Sequence, residues 1–483
     1  MRSNQKFRIY IQTFRMDVDF MENRKLTKRD YAVVSSMLFA LFFGAGNLIF
    51  PLHLGQLAGS NWLPAALGFL VTAVLLPLLS VLAISITRSE GVYDVGLPLG
   101  PTFALVFMVL IHGTIGPFFG TPRTATVSYA VGVAPLLPAK FQSLGLLVFS
   151  ALFFGAAYLL SVKENKIVSN VGRLLNPTFL VLLFLVFVVA FSRPMGNPAH
   201  QAVTAAYTSG AAVNGFLQGY NTMDALAGLA FGVTVVTAIK MMGKKDPNEV
   251  ALVTARAGVF SMGFEALIYF ALILVGAMSL GTFKVSADGG VAFDQIVNHY
   301  LGVAGQSLLA MLITLTCLTT AIGLVAAFAQ DFHKHFPKLS YKTWLGLTSA
   351  ASFLFANFGL TQILAWSTPF LMFLYPLSMV LILLSVFSPL FQRASVVYKF
   401  VVGFTVVPAL FDMISSFPPV VSHSAFGTLV TNLRMTYLPF AQYGLDWVVP
   451  ALVGLVLGLG FYVAQRVRQN NVSNNASEES VNN

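Results

Sequence analysis

Two short runs place backbone-bending and polar residues inside otherwise apolar stretches. The first reads Leu41-Phe42-Phe43-Gly44-Ala45-Gly46-Asn47-Leu48-Ile49-Phe50-Pro51, and the second Gly219-Tyr220-Asn221-Thr222-Met223-Asp224. Inside a membrane helix, such runs predict an unwound turn. Unpaired N–H and C=O groups cost several kcal/mol each against lipid, so unwinding is tolerated only where the backbone is buried in protein or lines a cavity. A broken helix offers free amides at the start of one half and free carbonyls at the end of the other. That pair suits an α-amino acid, with amides for its carboxylate and carbonyls for its ammonium. Phe43, Gly44, Ala45, Gly46, Asn47, Tyr220, Thr222 and Asp224 are therefore the candidate substrate-binding residues. Phe42, Phe43, Leu48 and Tyr220 are candidates for an apolar wall.

The ionisable residues near these runs admit two readings each. Asp224 is either a proton or cation site or the cap of the second half of its helix, since an Asp at a helix start satisfies orphan amides. Arg123 either marks a gate that touches a carboxylate or snorkels near the outer end of its helix, and the sequence favours the second. Glu265 and Asp412 are weaker candidates of the same kind. The seven histidines do not converge; His333 and His335 flank Lys334 in what reads as a solvated loop. The single cysteine, Cys317, permits neither a disulfide nor a cysteine-based metal site within one chain. With no phosphate-binding loop, nothing points to ATP-driven work.

The elements that must position these residues are membrane helices. Of 483 residues, 57% are hydrophobic and 10% charged, against about 25% charged in a soluble chain. Twelve spans are predicted, near 31–58, 62–87, 101–130, 143–162, 168–192, 211–241, 254–280, 305–331, 341–357, 361–391, 396–417 and 444–466. No cleavable signal peptide is expected. Residues 1–29 read as a cytoplasmic extension whose natural lead-in begins at Met21, 30–466 as the membrane domain and 467–483 as a disordered cytoplasmic tail. On this topology 23 of the 28 Lys and Arg fall on the side of the termini and five opposite. The positive-inside rule then places both termini in the cytoplasm and removes the nucleic-acid reading that a net charge of +10 invites.

The two breaks open two runs of five spans. Paired interruptions in matching positions of two halves point to an inverted-repeat secondary transporter. The alternative is that the glycines serve close helix packing, as in Gly228/Gly232 and Gly454/Gly458. An integral-membrane enzyme would need clustered Asp, Glu or His, and a channel would favour repeated pore-lining rings; neither pattern is present. In the eighth span, Thr316, Thr319 and Thr320 share one helix face. Their oxygens suit a hard monovalent cation, or the hydroxyls bond back to the preceding turn.

The run from Phe39 to Pro51, the stretch Gly116-Pro117-Phe118-Phe119-Gly120-Thr121-Pro122-Arg123-Thr124-Ala125-Thr126-Val127-Ser128, and Gly219 through Ala227 together resemble the bacterial branched-chain amino acid carrier family. The similarity extends from about Met21 to Gln465. It implies an all-α integral membrane protein with the 5+5 inverted-repeat amino-acid-transporter fold, helices 1 and 6 broken. It further implies a multi-pass protein of the bacterial inner membrane that imports leucine, isoleucine and valine by symport with Na⁺ or H⁺. No other cofactor, metal or obligate partner beyond the bilayer is expected. The same-fold carrier of another small solute is the alternative. By resemblance to carriers whose Na⁺ sits beside the first break, the Ala40 and Phe43 carbonyls would complete a cation site with Thr316, Thr319 and Thr320.

Overall fold

The computed structural model describes residues 26–44, 46–162, 166–244 and 246–481. Residues 1–25, most of the expected extension, and Ala45 of the candidate site lie outside the described residues. Every described element is helical, and nine stretches are long and apolar enough to cross a membrane. Twelve helical passes are traced. Passes one to five are Lys28–Phe42 with Gly46–Ala58, Trp62–Leu70 through Leu76–Thr87, Pro101–Gly113 through Gly120–Gly132, Gln142–Val162 and Lys166–Ser192. Passes six to ten are Ala205–Gln218 with Asp224–Met241, Pro247–Ser279, Gly289–His335, Tyr341–Ala356 and Leu360–Val386. Ser395–Ser416 and Val448–Val481 complete the set.

Both expected breaks are present. The first half of span one starts on a capping box, in which the Thr27 hydroxyl and the Asp30 carboxylate satisfy each other's backbone amides. It ends at Phe42, and Phe43 takes extended dihedrals. The sixth span changes to a 3₁₀ turn over Gly219–Thr222, passes through Met223 in the left-handed region at φ 62°, and resumes at Asp224. A third interruption was not anticipated. In span three the helix widens over Thr114–Phe118, and Gly116 leaves helical geometry at φ −89°, ψ −119°. Pro117 has no amide to continue the ladder. Gly120 closes the turn so tightly that a Cβ would lie 2.1 Å from the Ile115 carbonyl oxygen.

Glycines let the two halves interlock. Span one crosses span seven where a Cβ on Gly55 would lie 2.0 Å from the Ile273 carbonyl and one on Gly276 2.0 Å from that of Leu52. Span six crosses span two where a Cβ on Gly228 would lie 1.8 Å from Ser80 Oγ. Exchanging first for sixth and second for seventh maps one contact onto the other, as an inverted repeat requires. Gly228 and Gly454 do serve close packing, as their spacing suggested; a Cβ on the latter would lie 2.7 Å from the Phe400 carbonyl oxygen. The tenth span is the most enclosed, 78% buried over its apolar window, and the twelfth lies at the rim, 17% buried.

The eighth span follows Gly302, where φ 64° and ψ −173° separate it from the shorter helix that starts at Gly289, close to the expected start near residue 305. One expectation changes. The last helix runs to Val481, where a disordered tail was expected from residue 467. No glycine or proline stands between Gln465 and Val481 to stop it, and extending a helix already nucleated costs little. Asp412 meets Arg434, whose Nε donates to the buried Asp446 at 2.8 Å, so the eleventh and twelfth spans are pinned through the helix Ala425–Tyr437.

Candidate functional site

The breaks of spans one and six meet in the core. Asn47, at the start of the second half of span one, is 2% exposed. Its Oδ1 accepts from the Gly44 amide at 3.0 Å, where a continuing helix would have sent that amide to the Ala40 carbonyl. Its Nδ2 donates to Asp224 Oδ2 at 2.7 Å, to Glu265 Oε1 at 3.3 Å and to the Tyr269 hydroxyl. One amide side chain thus shapes the first break and joins it to spans six and seven.

Asp224 is not a cap. Met223 occupies the cap position without a side-chain bond, and Asp224 is the first residue of the helix. Its carboxylate turns inward to Asn47 and lies 3.4 Å from the Tyr269 hydroxyl, which donates to Glu265 Oε1 at 2.6 Å. Glu265 and Tyr269 are fully buried. Tyr269 escaped the sequence reading, although its spacing of four from Glu265 puts both on one helix face.

Arg123 neither snorkels nor reaches an outer surface. It is 6% exposed, its Nη1 donates to the Asn221 carbonyl at 2.7 Å, and its guanidinium stands 5.1 Å from the Phe50 ring centre. The irregular turn at Gly116–Gly120 sets it at that height. Arg123 therefore ties span three to the carbonyl that the sixth break exposes. Tyr220 stacks on Tyr375 of span ten at 4.2 Å and 9°, a partner that no local pattern singles out. Phe43 stacks on Phe39 at 4.7 Å, and Phe42, Phe43 and Leu48 are all buried.

Neither Gly44 nor Gly46 has positive φ; at Gly46 the absent side chain leaves room for a neighbouring ring. A Cβ on Gly46 would lie 3.0 and 3.3 Å from two carbons of the Phe50 ring, whereas one on Gly44 would make ordinary contacts, 3.7 Å from Thr320 Oγ1. Thr320 of span eight therefore faces the first break. The Thr319 and Thr320 hydroxyls donate to the Thr316 carbonyl at 2.8 and 3.1 Å, the back-bonded arrangement, while Thr316 Oγ1 is buried without a partner. Phe43 is buried and Ala40 exposed.

At the face where span one begins, a cavity of about 600 Å³ is lined by Arg88, Glu90, Lys240 and Lys334, among others. Lys334 bonds Glu90 at 2.7 Å, which holds that carboxyl below its ordinary range. Behind it, the buried His112 meets Asp331 at 2.7 Å. Among the described residues no three His, Cys, Asp or Glu gather as a metal site.

Two broken helices face each other across a buried polar centre within interlocked halves, and the family this chain matches is one of transporters rather than enzymes. The chain belongs to the branched-chain amino acid transport protein family, whose model matches residues 27–465. It is 42% identical over 431 residues to the branched-chain amino acid permease BrnQ of Lactobacillus delbrueckii subsp. lactis, covering 89% of this chain and 96% of that one. It is 37% identical over 452 residues to the permease BraB of Bacillus subtilis, covering 93% and 99%. The fold is shared with MhsT, solved in complex with L-phenylalanine (TM-score 0.50, 14% identity, 90% and 98% covered). It is shared also with Mhp1, a nucleobase-cation-symport-1 family transporter (TM-score 0.56, 13% identity, 89% and 92% covered).

Proposed function

We propose that this protein imports leucine, isoleucine and valine across the bacterial inner membrane by symport with Na⁺ or H⁺. The meeting of the two breaks around Asn47 carries the reading. Phe43, Gly44, Ala45, Gly46 and Asn47 would present backbone to the substrate carboxylate, with Tyr220, Thr222 and Asp224 across from them. Carbonyls left free at the ends of the inner half-helices take the ammonium. The enclosed aromatic wall suits a branched aliphatic side chain, whose burial contributes about 1.5–3 kcal/mol. The family supports the substrate class, and the excess of Lys and Arg on one face supports cytoplasmic termini.

Counterflow of labelled leucine in proteoliposomes tests this reading. Preloaded unlabelled leucine, isoleucine or valine drives accumulation of the label, and a polar amino acid of similar size does not. Equal counterflow with the polar solute would overturn the substrate assignment.

For a Na⁺ site, the residues are Ala40 and Phe43 through their carbonyls, with Thr316, Thr319 and Thr320. Supporting it are the Gly44 amide, turned away from Ala40, and Thr320, facing Gly44. Each hydroxyl that donates to Thr316 keeps lone pairs for a cation. Thr319→Val with Thr320→Val then raises the Na⁺ needed for half-maximal uptake at least tenfold, about 1.4 kcal/mol. Unchanged Na⁺ dependence in the double variant would remove the assignment.

A further inference from the structure

Four side chains from three spans form a closed polar centre whose hydrogen count does not balance. Asn47 supplies two N–H hydrogens and Tyr269 one O–H. Against them stand Asp224 and Glu265, two carboxylates in the same water-poor interior, 3% and 0% exposed. The three hydrogens are directed to Asp224 Oδ2, Glu265 Oε1 and the tyrosine oxygen. Glu265 Oε2 is buried and receives none. No Lys or Arg forms an ion pair with either carboxylate among the described residues. The groups that face Asp224 are Thr222 from its own span, Arg123 from span three and Tyr375 from span ten. Arg123 spends a hydrogen on the Asn221 carbonyl instead.

Two carboxylates held by the same amide and away from water repel each other, a cost that one bound proton relieves. A single added proton on Glu265 Oε2 removes the charge that this oxygen would otherwise carry with no donor beside it. We propose that the Asp224–Glu265 pair is a proton-binding site, loaded with one proton while the two breaks are joined and carried with the substrate. The proton comes from water on the side of substrate entry and leaves to water on the other side once Asn47 separates from the pair. Asn47 makes the connection to the substrate: it holds the carboxylates with Nδ2 and the Gly44 amide with Oδ1, so movement of the first break opens the pair to water, which solvates the ionised form and lets the proton go. This proposal rests on the transporter reading for its role in coupling, but the site itself does not.

Infrared difference spectroscopy on the purified protein in lipid, with no amino acid present, tests the site directly. Wild type shows a protonated carboxylic-acid carbonyl band that titrates with pH, and Glu265→Gln removes it. Tyr269→Phe keeps the ring packed on Phe69 at 5.4 Å but removes the hydroxyl that stabilises the ionised Glu265, so the band's midpoint moves to higher pH. In proteoliposomes with an internal pH dye, adding leucine acidifies the wild-type lumen, and the protons taken up per leucine fall at least tenfold in Glu265→Gln. A band unaltered by all these substitutions, displacement of the band by Na⁺ alone, or equal proton uptake in variant and wild type would overturn the proposal. Absence of leucine counterflow would sink the transport reading while leaving the infrared result to decide the proton site. Should Glu265→Gln not fold, the Tyr269→Phe midpoint decides alone.

Discussion

Gly46→Leu abolishes leucine uptake while the protein remains in the membrane. The added Cβ already stands 3.0 Å from the Phe50 ring, and the rest of the side chain drives that ring out of place. Phe50 carries the Arg123 guanidinium on its face, and Arg123 holds the exposed carbonyl of the sixth break. The disturbance therefore reaches both broken helices. Overpacking costs about 1–3 kcal/mol of stability, but misplacing a binding centre by about 1 Å lowers turnover roughly 100-fold. Uptake should thus fall much further than the amount of protein, measured by labelled leucine accumulation against membrane abundance. Gly44→Ala is the internal control, because its Cβ meets only ordinary contacts; it retains far more activity. Normal uptake by the Leu variant would show that the first break does not form the site.

Arg123→Met produces the second large loss. Methionine keeps an unbranched apolar stem but leaves the Asn221 carbonyl without its partner in a buried site. Hydrogen bonds to charged groups contribute about 1.5–3 kcal/mol, which corresponds to roughly 10- to 150-fold in rate if the bond is needed along the transport cycle. Arg123→Lys does not restore it, because a shorter ammonium cannot span the same distance over Phe50 with a planar face. Initial rates of leucine uptake in the two variants and wild type check this. If both variants match wild type, Arg123 only fills space between spans three and six.

How much of this was legible beforehand follows from the kind of signal each feature leaves in a chain. The membrane class, the two breaks and their pairing into halves leave local signatures: apolar runs of span length, and glycine, asparagine or aspartate where such runs forbid them. The three motifs that resemble the family carrier are equally local, and they brought the substrate class. Asn47 and Asp224 stood out because a polar side chain in hydrocarbon has to be explained.

Roles assigned by contact were not legible. Asp224 has the local sequence of a helix cap and becomes something else only because Asn47, 177 positions away, lies 2.7 Å from it. Arg123 sits where a snorkelling residue would, yet an interruption at Gly116–Gly120 buries it against Asn221. Tyr269 and Tyr375 look like ordinary residues of aromatic-rich spans until folding sets one beside Glu265 and the other on Tyr220. That the protein spans a membrane, where its helices break and which side chains there are too polar to be incidental all follow from the cost of exposing polar groups to lipid, a cost written into local runs of residues. Which of those side chains meet was settled by folding, because hydrogen bonds and ring stacking act over a few ångströms between segments that chain order leaves far apart.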